Sequence, residues 1–224
     1  MVNKTQPGEH ENFSYWSKLL QDAPKSYKEW FKAERDYLAR HVKPDSQILE
    51  IGCGEGRSLS YLTDRGSVLY GIDYDENAGL QARTKLDSEG MNVNILLMQA
   101  HDLIFRDDSF DYVLSLTTPA NFASKKKQIF SEMKRVVKPT GEIIINVFNE
   151  DAFSERIKFY RKLKAQIKEI KGTTVFFDGK GEDFISEQFS REQLVDLCKE
   201  NGFKVIDITK AGIGYLCRFG KSEK

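Results

Sequence analysis

The sequence is poor in cysteine, with three residues in 224, and it has neither a CxxC pair nor a cluster of cysteine and histidine. Such sparse cysteines do not predict a disulfide framework, and without clustered ligands we expect no metal site. No apolar run approaches the roughly 18 residues that a membrane-spanning helix needs, and the polar first residues do not resemble a signal peptide. We therefore expect a protein of the reducing cytoplasm that does not enter a membrane.

An excess of either charge is also absent, because 34 basic residues balance 34 acidic ones. Proteins that bind nucleic acid through its backbone usually carry a basic excess, so the balance disfavours that class for the chain as a whole. A local basic surface is not excluded. The chain is 40% hydrophobic, which suffices for the core of one domain with an elaboration, or of two small domains at most.

A glycine-rich bend directly after an apolar run is the most informative feature that is present. Residues 48–51 have the composition of a buried strand. Three glycines follow at every second position: Gly52, Gly54 and Gly56. A strand that ends in a glycine turn before a helix lets backbone approach a nucleotide-like ligand. A dinucleotide turn would need glycine where Arg57 stands, so the pyrophosphate fingerprint fails.

The bend, E-I-G-C-G-E-G at residues 50–56, closely resembles the first motif of the class I S-adenosylmethionine-dependent methyltransferases. The resemblance implies that the bend contacts this cofactor through Glu50, Gly52, Cys53 and Gly54. Asp73 ends a second predicted strand, 19 positions after Gly54, and is expected to accept hydrogen bonds from both ribose hydroxyls. Capping the following helix is an alternative role for Asp73, compatible with the first. Tyr74 and Leu116, at the ends of the second and fourth strands, are expected to border the cofactor.

A third motif, at residues 98–113, resembles the family stretch acid-x-x-x-L-P-F-x-D-x-S-F-D. In that stretch the acid receives the adenine amino group, and the next backbone N–H meets a ring nitrogen. Here Gln99 occupies the acid position, Ala100 supplies the N–H, and Ile104 replaces the proline. Gln99 can accept through its amide oxygen, and Asp102 can do so if the loop is shifted, so both stay candidates.

Two later segments resemble structural parts of the same family. Residues 135–145 match its R-V-L-K-P-G-G segment, which predicts a helix that ends at Lys138 before a β-branched strand. Residues 189–203 resemble its final helix, with Ser190 as the N-cap and Gly202 just past the C-terminus.

Alternating strand and helix patterns predict an α/β fold. Strands are predicted near 47–51, 68–72, 93–98, 110–116, 142–148, 203–209 and 213–219. Helices are predicted near 25–41, 56–65, 76–89, 123–137, 151–171 and 190–200. We expect a three-layer Rossmann-like domain, with a seven-stranded, mostly parallel sheet, an antiparallel C-terminal hairpin and helices on both faces. The ligand should lie beyond the carboxyl ends of the strands.

Two segments fall outside this plan. Residues 1–44 are predicted to form a helical cap on the domain of residues 45–224. Tyr15 and Trp16 in the cap are candidates to close over the sulfonium as cation–π partners, and the alternative is that they only pack a helix on the sheet.

An insertion at residues 149–189 is predicted to act as a lid over the acceptor site. Four apolar residues form a stripe at helical spacing: Tyr160, Leu163, Ile167 and Ile170. The other faces carry basic residues: Arg156, Lys158, Arg161, Lys162, Lys164, Lys168 and Lys171. This basic face either is simply solvated or meets an anionic acceptor or RNA.

The resemblance implies direct displacement, in which an acceptor atom attacks the methyl group on sulfur and S-adenosylhomocysteine leaves. Alignment and exclusion of water are the main tasks of such a protein, and His101 is a candidate base where the acceptor must lose a proton. Thr118 and Asn121, at the exit of the fourth predicted strand, are candidates to orient a small polar acceptor. This exit, residues 116–122, lacks the N/D-P-P-Y/F signature of enzymes that methylate exocyclic base amines.

Three functions therefore compete. A methyltransferase of small molecules is favoured over a tRNA or protein methyltransferase that uses the basic insertion, and over a module that binds the cofactor without turnover. The sequence makes no prediction of oligomeric state.

Overall fold

The computed structural model describes residues 23–117, 125–178 and 185–222. Its helices are α1 Lys25–His41, α2 Glu76–Ser88, α3 Lys126–Val136, α4 Phe153–Lys162 and α5 Arg191–Glu200. Its strands are β1 Gln47–Ile51, β2 Val68–Asp73, β3 Val93–Leu97, β4 Phe110–Leu116, β5 Val137–Phe148, β6 Ile167–Lys171, β7 Thr174–Phe177, β8 Ile185–Ser186, β9 Phe203–Ala211 and β10 Gly214–Lys221. Within these ranges no helix is both long and apolar enough to span a bilayer.

Seven strands form the main sheet in the order β3-β2-β1-β4-β5-β10-β9. Neighbours from β3 to β5 pair in parallel, whereas β10 runs antiparallel to both β5 and β9. The β9–β10 hairpin turns at Gly212, whose φ of 55° suits glycine. The predicted fold class is confirmed. Chain order reverses between β1 and β4, so their carboxyl ends form the crevice where ligands bind in such sheets.

Helices cover both faces of this sheet because its central strands are buried on both sides. On one face, Leu38 of α1 packs in a cluster with Leu114 of β4. On the other, Met133 of α3 packs in a cluster with Ile145 of β5. Parallel strands that are buried on both faces carry continuous apolar runs, so a buried polar residue within one of them is an exception.

The predicted helix at 56–65 is wrong. Two short 3-10 helices, Leu59–Tyr61 and Thr63–Arg65, stand in its place. Ser60 and Thr63 donate side-chain hydrogen bonds to backbone carbonyls three residues earlier, at 2.7 and 3.2 Å. Such local bonds compete with a regular helix.

The predicted helix at 151–171 is also wrong in its second half. Helix α4 ends at Lys162, and Lys164 has a φ of 55° that interrupts the helix. Ile167 and Ile170 lie in β6, which pairs with β7 in a separate sheet of order β6-β7-β8. The basic face is corrected too, since Arg156 is fully buried.

Two boundary predictions have different outcomes. The helix expected to end at Lys138 ends at Val136, because Val137 already pairs with Phe110 as the start of β5. At α5 the expected caps are confirmed. Ser190 forms a capping box with Gln193, and Gly202 has the positive φ of a helix C-terminus.

Candidate functional site

The glycine bend is anchored to the end of β2. The backbone N–H groups of Gly52 and Cys53 both donate to the Ile72 carbonyl, at 2.8 and 2.9 Å. All three glycines have positive φ, which the bend requires. A Cβ on Gly56 would meet a Leu86 methyl at 2.8 Å, whereas the same position on Gly54 opens on empty space. The bend therefore turns unobstructed backbone toward the crevice.

Asp73 is joined directly to this bend. Its Oδ2 accepts from the Gly54 N–H at 2.9 Å, and its Oδ1 accepts from the Asp75 N–H at 3.0 Å. Burial raises the pKa of Asp73, and these backbone donors oppose the rise. The Tyr74 N–H also bonds this carboxylate, which can accept about four bonds in all, so capacity for a ligand hydroxyl is left. The N-cap of α2 is Asp75, which accepts from Ala78, so the alternative capping role for Asp73 is wrong.

Glu50 lies beneath the bend with only 1% of its surface exposed. The Ser58 hydroxyl donates to its Oε1, while Oε2 has no partner. Burial raises the pKa of Glu50 to about 8, against the lowering effects of Ser58 and Arg57. Cys53 is buried as well, and burial raises the pKa of its thiol. In the absence of a cation, the Glu50 carboxyl is therefore mostly protonated at neutral pH.

A buried polar cluster beside Glu50 was missed by sequence reasoning. Arg57 pairs with the fully buried Glu34 of α1, and the Asn146 amide donates to the other oxygen of that carboxylate. The Arg57 guanidinium also lies over the Phe31 ring at 4.4 Å. The available signals were an acid within the apolar stripe of α1 and an amide within an isoleucine-rich strand.

Unpartnered acceptors concentrate at this end of the sheet. In the described ranges, three buried oxygens without a hydrogen bond belong to the bend and to β5: Glu50 Oε2, Glu55 Oε1 and Asn146 Oδ1. An unpaired buried polar atom costs about 1–3 kcal/mol, so proteins retain few of them. A ligand ammonium has three N–H donors. The residues present thus fit the amino-acid end of the cofactor that the sequence implies.

The predicted adenine loop follows β3 at the same edge. The Met98 N–H donates to the Asp73 carbonyl at 2.9 Å, and the Asp102 N–H donates to the Gln99 carbonyl at 3.2 Å, which closes a turn around Ala100. Gln99 and Asp102 both expose their side chains at this turn. The geometry brings both candidates to the edge that carries Asp73.

Helix α3 holds that loop in place, a role that the sequence did not reveal. Arg135 donates to the carbonyls of Phe105 and Leu103 at 2.7 and 2.8 Å. Glu132 accepts from the Leu103 N–H at 2.8 Å and pairs with the same arginine. Residues 135–139, which end a helix, therefore also position the loop through Arg135.

The remaining predicted residues fall in different places. Leu116 is buried at the end of β4, paired with Asn146, and Tyr74 is largely exposed beside Asp73. His101 Nε2 lies 3.4 Å from Lys125 Nζ, in an open depression that it shares with Gln128 of α3. Its role as a base stays a prediction. Four residues lie outside the described ranges: Tyr15, Trp16, Thr118 and Asn121.

Comparisons with known proteins bear on the fold and the family of this chain. Residues 49–145, from β1 to β5, match the family model described as a methyltransferase domain. An uncharacterised protein of Methanocaldococcus jannaschii is 30% identical over 82% of this chain and 80% of its own length.

Two solved structures are similar in fold. The PH0226 protein of Pyrococcus horikoshii has a TM-score of 0.77 at 23% identity, over 96% of this chain and 100% of that one. The second is the 1,6-didemethyltoxoflavin-N1-methyltransferase of Burkholderia thailandensis, with a TM-score of 0.66 at 17% identity. Its structure contains bound 1,6-didemethyltoxoflavin and S-adenosylhomocysteine. That match covers 99% of this chain and 94% of the other.

Proposed function

Because this chain belongs to the class I methyltransferase family, we propose that it transfers a methyl group from S-adenosylmethionine to a small-molecule acceptor. The observation that carries the proposal is the junction of Gly54 and Asp73, at 2.9 Å, beside three unpartnered acceptor oxygens. A glycine bend without a ligand would not need the unpaired atoms.

The chain's own residues divide the work of holding the cofactor. Asp73 would accept from the ribose hydroxyls through the lone pairs that its backbone donors leave free. Glu50 and Asn146 would hold the ammonium group of the methionine end. Gln99 or Asp102, at the turn that contains Ala100, would hold the adenine.

Ligand binding changes the charge state of Glu50. Without a ligand its carboxyl keeps a proton at neutral pH, because burial raises its pKa to about 8. An ammonium group at hydrogen-bond distance favours the carboxylate and lowers that pKa. We therefore expect the proton on Glu50 to be released to solvent as the cofactor binds.

Catalysis then rests on alignment in a site without bulk water. When bound, the cofactor supplies an electrophilic methyl group on a cationic sulfur. The carboxyl ends of β4 and β5 place the acceptor on the open side of the bend. In this proposal the protein fixes the line of attack, and a base such as His101 is needed only for an acceptor that holds its proton near pH 7.

A small acceptor is favoured over RNA by how the basic insertion is used. Arg156 is buried, and Lys158 and Lys171 form ion pairs with Glu155 and Glu169, at 3.1 and 3.0 Å. Three of the seven basic residues of the insertion are therefore buried or paired with an acid, on a chain of balanced charge. The toxoflavin-precursor methyltransferase of similar fold is consistent with this interpretation.

Calorimetric titration with S-adenosylhomocysteine tests the proposal. The wild-type protein should bind, and Asp73→Ala should bind at least 100-fold more weakly, because two bonds to a charged acceptor are worth about 1.5–3 kcal/mol each. Asp87→Ala, which removes an exposed carboxylate from α2, is the matched control and should bind normally. No measurable affinity of the wild type for either form of the cofactor would refute the proposal.

Turnover separates the competing functions. When the protein is incubated with cell extract and methyl-labelled S-adenosylmethionine, the label should appear in small molecules. Binding without transfer to any fraction would instead favour a non-catalytic module. Methyl transfer to RNA, together with RNA affinity that falls steeply with salt, would favour the RNA enzyme.

A further inference from the structure

A second group of unpartnered atoms lies further along β5. Asn146 and Phe148 point to the same face of this strand, two residues apart, which corresponds to roughly 7 Å. Asn146 carries one of the three unpartnered oxygens near the bend. Phe148 is the centre of an aromatic cluster. This cluster therefore begins where the methyl acceptor should lie.

Three residues surround the Phe148 ring. Trp30 and Tyr27, from α1, have ring centroids at 4.8 and 5.9 Å from it, and the Arg156 guanidinium carbon, from α4, lies 5.0 Å from it. Each carries a buried polar atom without a partner: Trp30 Nε1, Tyr27 Oη and Arg156 Nε. Burial raises the pKa of Tyr27 far above its ordinary range, so the hydroxyl keeps its proton. All three atoms can therefore donate.

Arg156 is an unusual residue to bury in this cluster. Its other N–H groups donate to neutral acceptors only: the Thr173 carbonyl, the Gln188 side chain and both oxygens of Ser186. Among the described residues it forms no ion pair with a carboxylate. Arginine stays charged, and a buried charge without a counter-charge is costly. A positive charge and three unused donors call for an anionic hydrogen-bond acceptor.

We propose that Tyr27, Trp30 and Arg156, referred to below as the donor cluster, bind the methyl acceptor, and that this acceptor carries an anionic oxygen on a flat apolar body. The oxygen belongs to a carboxylate, an enolate or a phenolate. The inference rests on the proposed function and names the substrate class of that site. The three unpartnered oxygens near the bend are acceptors and suit a cation. The three unpartnered donors around Phe148, two residues further along β5, suit an anion.

The acceptor reaches this position between α1 and α4. The two helices meet where Ser26 donates to Glu155 at 2.9 Å and where the rings of Tyr27 and Phe159 lie 4.5 Å apart. The donor cluster is at most 2% exposed, so these contacts have to separate for an acceptor to enter. Both helices supply donors, so a bound anion would hold them together.

Calorimetric titration with benzoate, in the presence of saturating S-adenosylhomocysteine, tests the inference. Benzoate should bind the wild-type protein, and benzamide and benzylamine, its neutral and cationic analogues, should bind at least about tenfold more weakly. Tyr27→Phe and Trp30→Phe each remove one donor and keep an aromatic ring. Each should weaken benzoate binding by about 10- to 100-fold, the effect of losing one hydrogen bond to a charged group.

Matched measurements distinguish a binding role from a packing role. Tyr37→Phe, on the same helix, removes a hydroxyl that already donates to Asp207, and benzoate affinity should not change. Affinity for S-adenosylhomocysteine should be unchanged in Tyr27→Phe and Trp30→Phe. Since Arg156→Gln removes bonds that hold β8, its benzoate affinity is compared only after circular dichroism shows native structure.

The outcomes separate this inference from the proposed function. If S-adenosylhomocysteine binds but benzoate does not, the inference is wrong and the proposed function stands. Equal benzoate affinity in the wild type and both ring variants, or equal affinity for benzamide, would also overturn it. If S-adenosylhomocysteine does not bind, the proposed function fails, and titration of benzoate alone still decides whether the donor cluster is an anion site.

Discussion

Replacement of Glu50 by glutamine should stabilise the ligand-free protein above pH 5. The Glu50 carboxyl is buried, and its pKa is about 8 in the folded protein against an ordinary value of 4.5. The folded state therefore holds a proton that the unfolded chain has released. The contribution of Glu50 to the free energy of unfolding is greatest below pH 4.5 and falls by about 1.4 kcal/mol per unit as pH rises toward 8, a total of about 5 kcal/mol. Glutamine carries no charge at any pH, so the variant lacks this loss of stability at rising pH.

The same substitution should weaken cofactor binding. If only the carboxylate pairs with the ammonium group, the competent fraction of the wild type rises from about 1% at pH 6 to about half at pH 8, and affinity rises by about 50-fold. Glu50→Gln should bind more weakly and lose this rise. The variant thus trades ligand affinity for stability, as expected where a strained site serves function.

Urea unfolding at pH 5.5, 6.5 and 7.5 measures the first effect. Calorimetry in two buffers of different ionisation enthalpy measures the second, as protons released per ligand bound. Glu76→Gln, an exposed residue in the first turn of α2, is the control and should match the wild type. Parallel stability curves for the wild type and Glu50→Gln, or binding without proton release, would refute the reasoning.

Two further changes have defined outcomes. In Gly214→Ala the new Cβ would overlap the Trp30 indole, so urea unfolding should show a free energy of unfolding that is lower by about 1–3 kcal/mol or more. The control is Gly79→Ala inside α2, where the new Cβ would meet only a methyl group of Ile95 at 3.7 Å, and this variant should be as stable as the wild type or more stable. An equal stability of Gly214→Ala and the wild type would contradict that packing. Arg135→Ala releases the carbonyls of Leu103 and Phe105, so cofactor affinity should fall by about tenfold and amide exchange at Leu103 should accelerate. Unchanged exchange would show that Glu132 alone holds the loop.

The sequence alone determined the order of the main elements and the bend. Gly52, Gly54 and Gly56 readily adopt the positive φ that the bend has, and this conformation is local to a few residues. Alternation of strands and helices restricts the sheet to a few topologies. For this reason the meeting of the bend with Asp73 could be predicted from the spacing of residues along the chain.

Local patterns were insufficient where two periods fit the same residues. Ile167 and Ile170 match a helical stripe that continues from Tyr160, yet they lie in β6 because β7 offers a strand partner. Arg156 of α4 is turned inward and donates to Ser186 of β8. The three-residue spacing of Ile167 and Ile170 does not reveal that a strand partner is available for them.

Only the tertiary structure decided which polar residues are buried together. Asn146 and Glu34 are 112 positions apart, and Arg57 reaches the same carboxylate from the bend. Tyr27, Trp30 and Arg156 converge on Phe148 in the same way, from two helices that no sequence pattern connects. The physical reason is that a glycine bend follows from neighbouring residues, whereas a strand needs a partner and the desolvation of a charge depends on every element that packs around it.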